Sequence, residues 1–124
     1  MQGARTGSHS YSILQGKSKR CYFTDTETGP LERHHIYFGV GMRQISDKHG
    51  FWVWLKPEWH RGTSGVHGRD GHKIDLRLKQ DCQRKFEETH TRAEFMAIIG
   101  RSYLGDEPEG KPQMPADTGG FYLL

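Results

Sequence analysis

The sequence predicts an α+β fold in which a small ββα unit, made of a β-hairpin, a strand and a short helix, is followed by two C-terminal helices. Short β-prone segments rich in aromatic residues fill the first half of the chain, and from His72 apolar residues recur at every fourth position. The 124 residues, of which 33% are hydrophobic, suffice for one domain with a modest core. We assign the domain to residues 13–104, between a flexible leader at 1–12 and a flexible tail at 105–124, both poor in apolar periodicity.

The first half of this domain contains the predicted hairpin. Cys21–Thr24 is expected to form its first strand, and the acidic Asp25–Pro30 segment, which contains Gly-Pro, is expected to form the turn. Leu31–Phe38 is then the second strand. The segment Gly39–Gly50, bounded by glycines and mixed in charge, is predicted to be a loop.

A third strand and a short helix complete the ββα unit. Phe51–Leu55 combines aromatic residues with a β-branched valine, which favours a strand. Pro57 ends that strand and suits the first turn of a helix that reaches about Arg61. Residues 62–71 contain four glycines and are expected to be irregular and tightly turned.

Two helices follow this glycine-rich segment. Four apolar residues form one stripe along the first helix: Ile74, Leu78, Cys82 and Phe86. Thr91 and Glu94 have the spacing of a capping box, which predicts the start of the second helix. That helix is expected to bury three apolar residues: Phe95, Ile98 and Ile99.

Composition narrows the class of protein. The formal charge of +3 and the pI near 9.0 are compatible with a polyanionic partner. No apolar run approaches roughly twenty residues, so we expect no membrane span and a cytoplasmic location. Cys21 and Cys82 form no CxxC pair; free thiols are expected in a reducing compartment, although the sequence leaves a disulfide between them open.

Four of the eight histidines form the candidate site: His34, His35, His60 and His67. Imidazole is the commonest protein metal ligand and a natural general base near neutral pH. In a ββα unit, one histidine of the adjacent pair can bind a metal while its neighbour deprotonates water. We expect His34, His60 and His67 to hold one divalent ion, whose open positions take phosphate and water, and His35 to act as the base.

Five pieces of sequence carry a resemblance to a known family: Cys21–Thr24, Leu31–Ile36, Ser46–Leu55, Pro57–His60 and Gly65–His67. With these pieces the chain resembles the HNH, or ββα-metal, nucleases. In particular it is similar to small phage proteins related to the phage recombination-enhancement, RecA-dependent nucleases. The resemblance covers about residues 13–104, and its centre is the diagnostic part.

The resemblance implies a role for each histidine. In these enzymes the first residue of the opening pair binds metal and the second is the general base, which maps to His34 and His35. The family's histidine at the start of the α element is a second metal ligand, which maps to His60, and His67 is the best match for a third. The metal is then Mg, Mn or Zn, and the substrate is DNA. A RecA-type recombinase filament becomes a candidate partner, and a phage- or prophage-encoded protein in a bacterial cytoplasm becomes the expected source.

The chain departs from the family pattern at two points. Many HNH proteins hold a structural zinc with a CxxC pair on each side of the motif, whereas here Thr24 stands where a second cysteine would lie, so no structural zinc is expected. The central Asn that orients the base has no clear counterpart. Either a backbone carbonyl or a side chain of Ser46, Asp47 or His49 takes its place, and we favour His49 or Asp47.

Two functions remain open from the sequence. The first is a metal-dependent endonuclease or nickase that hydrolyses DNA phosphodiester bonds in phage recombination or DNA processing. The second is a non-catalytic, zinc-stabilised DNA-binding module, which a closed four-histidine site would favour. Four arginines near the histidines are candidates for phosphate contact, although surface arginines commonly serve solubility alone: Arg33, Arg43, Arg61 and Arg69.

Overall fold

The computed structural model describes residues 11–62 and 65–109 and confirms the α+β class. Six elements follow one another along the chain: β1 (Glu32–His35), α1 (Met42–His49), β2 (Trp52–Leu55), α2 (Pro57–His60), α3 (His72–Phe86) and α4 (Arg92–Ile99). The strand predicted at Phe51–Leu55, the short helix after it and the two C-terminal helices are confirmed.

The two strands form one antiparallel sheet. Glu32 lies opposite Leu55, and His35 lies opposite Trp52. The Ile36 N–H donates to the Phe51 carbonyl at 2.9 Å, so the pairing continues just past the end of β1. The chain between the strands carries α1, so β1 and β2 meet through tertiary packing as well as backbone pairing.

The hairpin predicted between Cys21–Thr24 and Leu31–Phe38 is wrong. Residues 22–24 form a turn, because the chain reverses at once: the Asp25 N–H donates to the Cys21 carbonyl at 2.7 Å. One backbone hydrogen bond, from Tyr22 N–H to the Trp54 carbonyl, joins this turn to β2. A strand needs a ladder of such bonds, so the β-prone composition of this segment serves packing instead.

The loop predicted at Gly39–Gly50 is also wrong, because it contains α1. Gly41 and Gly50 flank the helix with φ of 77° and 75°, so these glycines terminate a helix at both ends. Inside it, buried Ser46 donates to the Tyr37 carbonyl at 2.7 Å and accepts from the Tyr37 N–H at 3.2 Å. Only Met42 and Ile45 pack against the core, so the apolar pattern is too sparse to signal a helix.

Both C-terminal helices form as the sequence pattern predicts, and their apolar residues join the core. Leu78, Cys82 and Phe86 of α3 are buried, and Ile74 packs at the edge of the same core. The capping box of α4 has both of its bonds: the Glu94 N–H donates to Thr91 Oγ1, and the Thr91 N–H donates to Glu94 Oε1. Residues from the sheet and its flanks fill the centre of the core: Ile36, Tyr37, Phe51, Val53, Leu55 and Phe95.

Residues just outside the predicted domain boundaries make hydrogen bonds to the rest of the protein. Residues 1–10 and 110–124, which make up most of the predicted leader and tail, lie outside the described residues. Ser12, assigned to the leader, is 1% exposed and exchanges backbone hydrogen bonds with Gly16. Glu107, assigned to the tail, accepts two hydrogen bonds from Arg84. The folded part therefore extends beyond residues 13–104 at both ends.

Both cysteines are buried free thiols, and burial raises the pKa of Cys82 well above its ordinary value. No helix within residues 11–62 and 65–109 is long and apolar enough to span a bilayer.

Candidate metal centre

Three of the predicted ligands meet at one point. His34 comes from β1, His60 is the last residue of α2, and His67 lies in the loop that follows. One ring nitrogen from each lies within 4.8 Å of those of the other two. The ring centroids are 4.9 to 5.2 Å apart. The prediction that these three histidines come close enough to bind one metal ion is confirmed.

His34 forms the buried floor of this cluster. It is 0% exposed, and neither of its ring nitrogens has a hydrogen-bond partner among the described residues. Burial, followed by the neighbouring His67 and His60, lowers the pKa of His34 to about 2, so the ring is neutral and keeps a lone pair. A buried polar atom without a partner is costly, and a metal ion bound to that lone pair would remove part of the cost. The residues present therefore fit a metal ion.

His60 is held by a carboxylate that the sequence analysis missed. His60 Nδ1 lies 2.8 Å from Glu32 Oε1, and the Arg61 guanidinium donates to both oxygens of the same carboxylate. Hydrogen bonds from Arg61 and then His60 lower the pKa of Glu32 to about 2. One signal was available: Glu32 stands two positions before His34 in β1, and side chains two apart share a face of a strand.

The loop 61–71 returns His67 to the cluster through two backbone hydrogen bonds in its described part. The Val66 N–H donates to the Trp59 carbonyl at 2.8 Å, and the His67 N–H donates to the His60 carbonyl at 3.1 Å. A Cβ added to Gly65 would lie 2.6 Å from the Trp59 carbonyl oxygen, so this close return requires glycine. Burial, with His60 next, lowers the pKa of His67 below its ordinary value.

His35 stands apart from the three ligands and is held by α1. Its Nε2 lies 2.9 Å from Asp47 Oδ1. Because a carboxylate oxygen accepts hydrogen bonds, His35 donates through its Nε2–H. Asp47 is therefore the side chain that orients His35. The other candidates point elsewhere: Ser46 bonds to Tyr37, and the His49 ring stacks on Phe51 at 5.4 Å.

One cleft joins the two parts of the site. The cleft has a volume of about 230 Å³. Six residues line it: Arg33, His35, Phe38, Arg43, His60 and His67. The candidate base and two of the candidate metal ligands thus face the same small space, above buried His34.

The four candidate arginines separate into two groups. Arg33 and Arg43 line the cleft; Arg33 also donates to Asp47 at 3.3 Å and lies 3.9 Å from the centroid of the Trp52 ring. Arg61 is bound to Glu32, and Arg69 is 81% exposed and pairs with the adjacent Asp70. Only the first two are placed to meet a group inside the cleft. Trp52 itself is 2% exposed, so it packs inside the protein.

Comparisons with protein-family models, with curated proteins and with solved structures found no match to this chain. The chemistry of the site thus follows from its own geometry. Three imidazoles supply fewer ligands than a closed metal site needs, and a fourth imidazole lies beside them in the lining of an open cleft.

Proposed function

We propose that this chain is a metal-dependent endonuclease or nickase that hydrolyses DNA phosphodiester bonds. One observation carries the proposal: His35, bonded to Asp47, shares a cleft with the candidate metal ligands His60 and His67. A base and a metal site that face the same space are the two parts that phosphodiester hydrolysis needs. The resemblance of the same residues to HNH nucleases supports the proposal independently of the geometry.

His35 takes the part of general base in this proposal. Asp47 accepts a hydrogen bond from the Nε2–H of His35, so Nδ1 can take a proton from water in the cleft. The water oxygen then attacks the phosphorus, and the bond to the leaving oxygen breaks. Asp47 also keeps the ring from rotating, which preserves the direction of the Nδ1 lone pair during the reaction.

His34, His60 and His67 would hold one divalent metal ion. When bound, the ion supplies positive charge for the developing charge on the scissile phosphate and the leaving oxygen. Among Mg, Mn and Zn, we expect Zn to bind most tightly, because imidazole nitrogen suits Zn whereas Mg and Mn prefer oxygen ligands. The tightest-binding metal need not be the one that supports the fastest cleavage.

Arg33 and Arg43 are the proposed contacts to the DNA backbone, since they line the cleft beside the base. The net charge of +3 favours the same polyanionic partner. A RecA-type recombinase filament as partner, a role in phage recombination and a bacterial cytoplasmic location rest on the resemblance to HNH nucleases alone.

The alternative function, a non-catalytic zinc-stabilised DNA-binding module, would use all four histidines as ligands. His35 lies outside the cluster of three, and its Nε2 is engaged by Asp47. A site with three protein ligands beside an open cleft is typical of catalytic metal sites, whereas structural sites have four. The observation therefore favours the enzyme.

Plasmid nicking tests the proposal. Supercoiled DNA is incubated with Mg²⁺, Mn²⁺ or Zn²⁺, with and without a recombinase filament, and with the wild type or His35→Ala. We expect the wild type to nick and His35→Ala to lose about 10²- to 10⁴-fold in rate, which is the usual contribution of a general base. His72→Ala is the matched control, because His72 is an exposed histidine outside the cluster.

Metal titration of the same proteins tests the division of roles. His35→Ala should bind metal as the wild type does, whereas His60→Ala should bind it more weakly. No nicking by the wild type under any of the metals, with or without the filament, would refute the enzyme. Equal loss of metal affinity in both variants would show that His35 is a ligand and would restore the structural module.

A further inference from the structure

We propose that Glu32, held by Arg61, is a positioning residue that sets the ring orientation and tautomer of the metal ligand His60. The proposal rests on the metal centre described under the proposed function, but it does not depend on nuclease activity. Glu32 and Arg61 do not belong to the histidine motif, and the proposal gives them a role in metal binding.

The contacts of Glu32 use both of its carboxylate oxygens. Oε1 lies 2.8 Å from His60 Nδ1 and 3.0 Å from Arg61 Nε, and Oε2 lies 2.5 Å from Arg61 Nη2. The fork of the guanidinium therefore fixes the plane of the carboxylate, because two parallel N–H···O bonds leave it little freedom to turn. The oxygen that faces His60 is placed by this clamp.

This carboxylate decides which nitrogen of His60 is available. A histidine that binds metal through one nitrogen carries its proton on the other, and Oε1 accepts from Nδ1–H, so Nε2 is the nitrogen left for the metal. The last torsion of a histidine side chain is broad and roughly two-fold, so without Glu32 the ring could turn its N–H toward the cluster. Metal-bound histidines commonly need such a partner on the second nitrogen.

The backbone explains why this contact is rigid. Glu32 and His34 share one face of β1, and their partners across the sheet are Leu55 and Val53. His60 and Arg61 lie at the C-terminal end of α2. A single carboxylate on the strand therefore ties two consecutive residues of the helix end to the element that carries the first ligand. One of the three ligands, His60, is thus oriented before any metal binds.

Metal affinity of the full chain tests this role. Zn²⁺ affinity is measured by competition with a chromophoric chelator, and Co²⁺ binding is followed by its visible absorption, for the wild type, Glu32→Gln and Glu32→Ala. We expect Glu32→Ala to lose about 10- to 100-fold in affinity, the usual effect of removing such a partner. Glu32→Gln should lose less, since its carbonyl still accepts the Nδ1 proton but carries no charge. The Co²⁺ spectrum should change in both variants.

Glu107→Gln is the matched control. Glu107 clamps Arg84 through two hydrogen bonds of 2.9 Å, as Glu32 clamps Arg61, but no described histidine contacts it. This variant should keep the wild-type affinity and spectrum. Melting of the metal-free proteins separates folding from positioning, and Glu32→Gln decides the question if Glu32→Ala does not fold.

Two results would overturn the proposal: unchanged affinity and spectrum in both Glu32 variants, or an equal loss of affinity in Glu107→Gln. The nuclease can fail separately. If the wild type binds metal in a Glu32-dependent way but never nicks DNA, the positioning role stands and the enzyme is refuted. If the wild type nicks DNA and the Glu32 variants bind metal as the wild type does, the enzyme stands and the positioning role is refuted.

Discussion

Asp47 shows how a single residue assignment depends on the local backbone. If residues 39–50 form a loop, Ser46, Asp47 and His49 are all candidates to orient His35, and the sequence favours His49 or Asp47. In a helix, successive side chains turn by about 100° around the axis, so neighbours point in different directions. The first residue bonds to Tyr37, the second to His35, and the third stacks on Phe51. In α1, Asp47 is the one of these three residues that contacts His35.

Asp47→Asn should strongly reduce the rate of DNA nicking, although the substitution hardly changes the size of the side chain. The amide can donate to Nε2, which would move the ring proton of His35 to Nδ1, the nitrogen that must accept the proton of water. The comparable change in the Ser-His-Asp triad costs about 10⁴-fold, so we expect a loss of about 10²- to 10⁴-fold. Single-turnover nicking rates at saturating metal measure it.

His49→Ala is the control for this prediction, because it removes the other orienting candidate and leaves Asp47 in place. Its nicking rate should stay near that of the wild type, and both variants should bind metal normally. A larger loss in His49→Ala than in Asp47→Asn would show that the orienting residue is misassigned.

At the scale of elements, the loop after α2 determines whether the third ligand reaches the site. The spacing from His60 to His67 is long, and the chain turns back only where glycines allow backbone to approach backbone. A Cβ at Gly71 would collide with the carbonyl oxygen of Gly65 and approach Val66. Gly71 also precedes α3, so the same position sets the loop and the start of the next helix.

Gly71→Ala should therefore weaken both the fold and the metal site. We expect a loss of about 1–3 kcal/mol in the free energy of unfolding, typical of forcing extra volume into a packed region. Metal affinity should fall as well, because the displaced segment carries Val66 and His67. Urea denaturation and Zn²⁺ titration measure the two effects.

Gly16→Ala is the matched control for this change. Its φ of 64° makes a side chain strained, at a cost of roughly 1–2 kcal/mol, but an added Cβ meets nothing within 4 Å. This variant should lose stability and keep its metal affinity. If Gly71→Ala also keeps its affinity, the loop does not control the position of His67.

At the scale of the whole molecule, the candidate metal centre joins parts of the chain that are distant in sequence. His34 and His67 are separated along the chain by α1, β2 and α2. A metal ion bound to the three histidines would act as a cross-link between β1, α2 and the loop. Binding only to the folded chain stabilises it by mass action.

Metal should raise the melting midpoint of the wild type. At a free Zn²⁺ concentration about 100 times Kd, the added stability is about 2.7 kcal/mol. For a domain of this size, this corresponds to a shift of roughly 10 °C or more. Calorimetry or circular dichroism with and without a chelator measures the shift. His67→Ala should lose most of it, and His72→Ala should keep it; a full shift in His67→Ala would place the bound metal elsewhere.

The sequence by itself determined what depends on residue type and short-range pattern. The stripe of α3 and the capping box of α4 are local signals, and both elements form as predicted. The three candidate histidine ligands were also identified from the sequence, and they lie close enough to bind one metal ion. Local periodicity and ligand chemistry are properties of the residues themselves, so they can be read before the chain is folded.

Only the tertiary structure decided how these parts are completed. Residues 22–24 form a turn where a strand was expected, and Met42–His49 form a helix inside the expected loop. In both segments, packing against the core outweighs local composition. The same packing placed Asp47 beside His35 and Glu32 beside His60, through contacts 12 and 28 residues apart in sequence. Hydrogen bonds over such separations leave no periodic signal in the sequence, since they exist only after strand pairing and helix packing have brought the partners within reach.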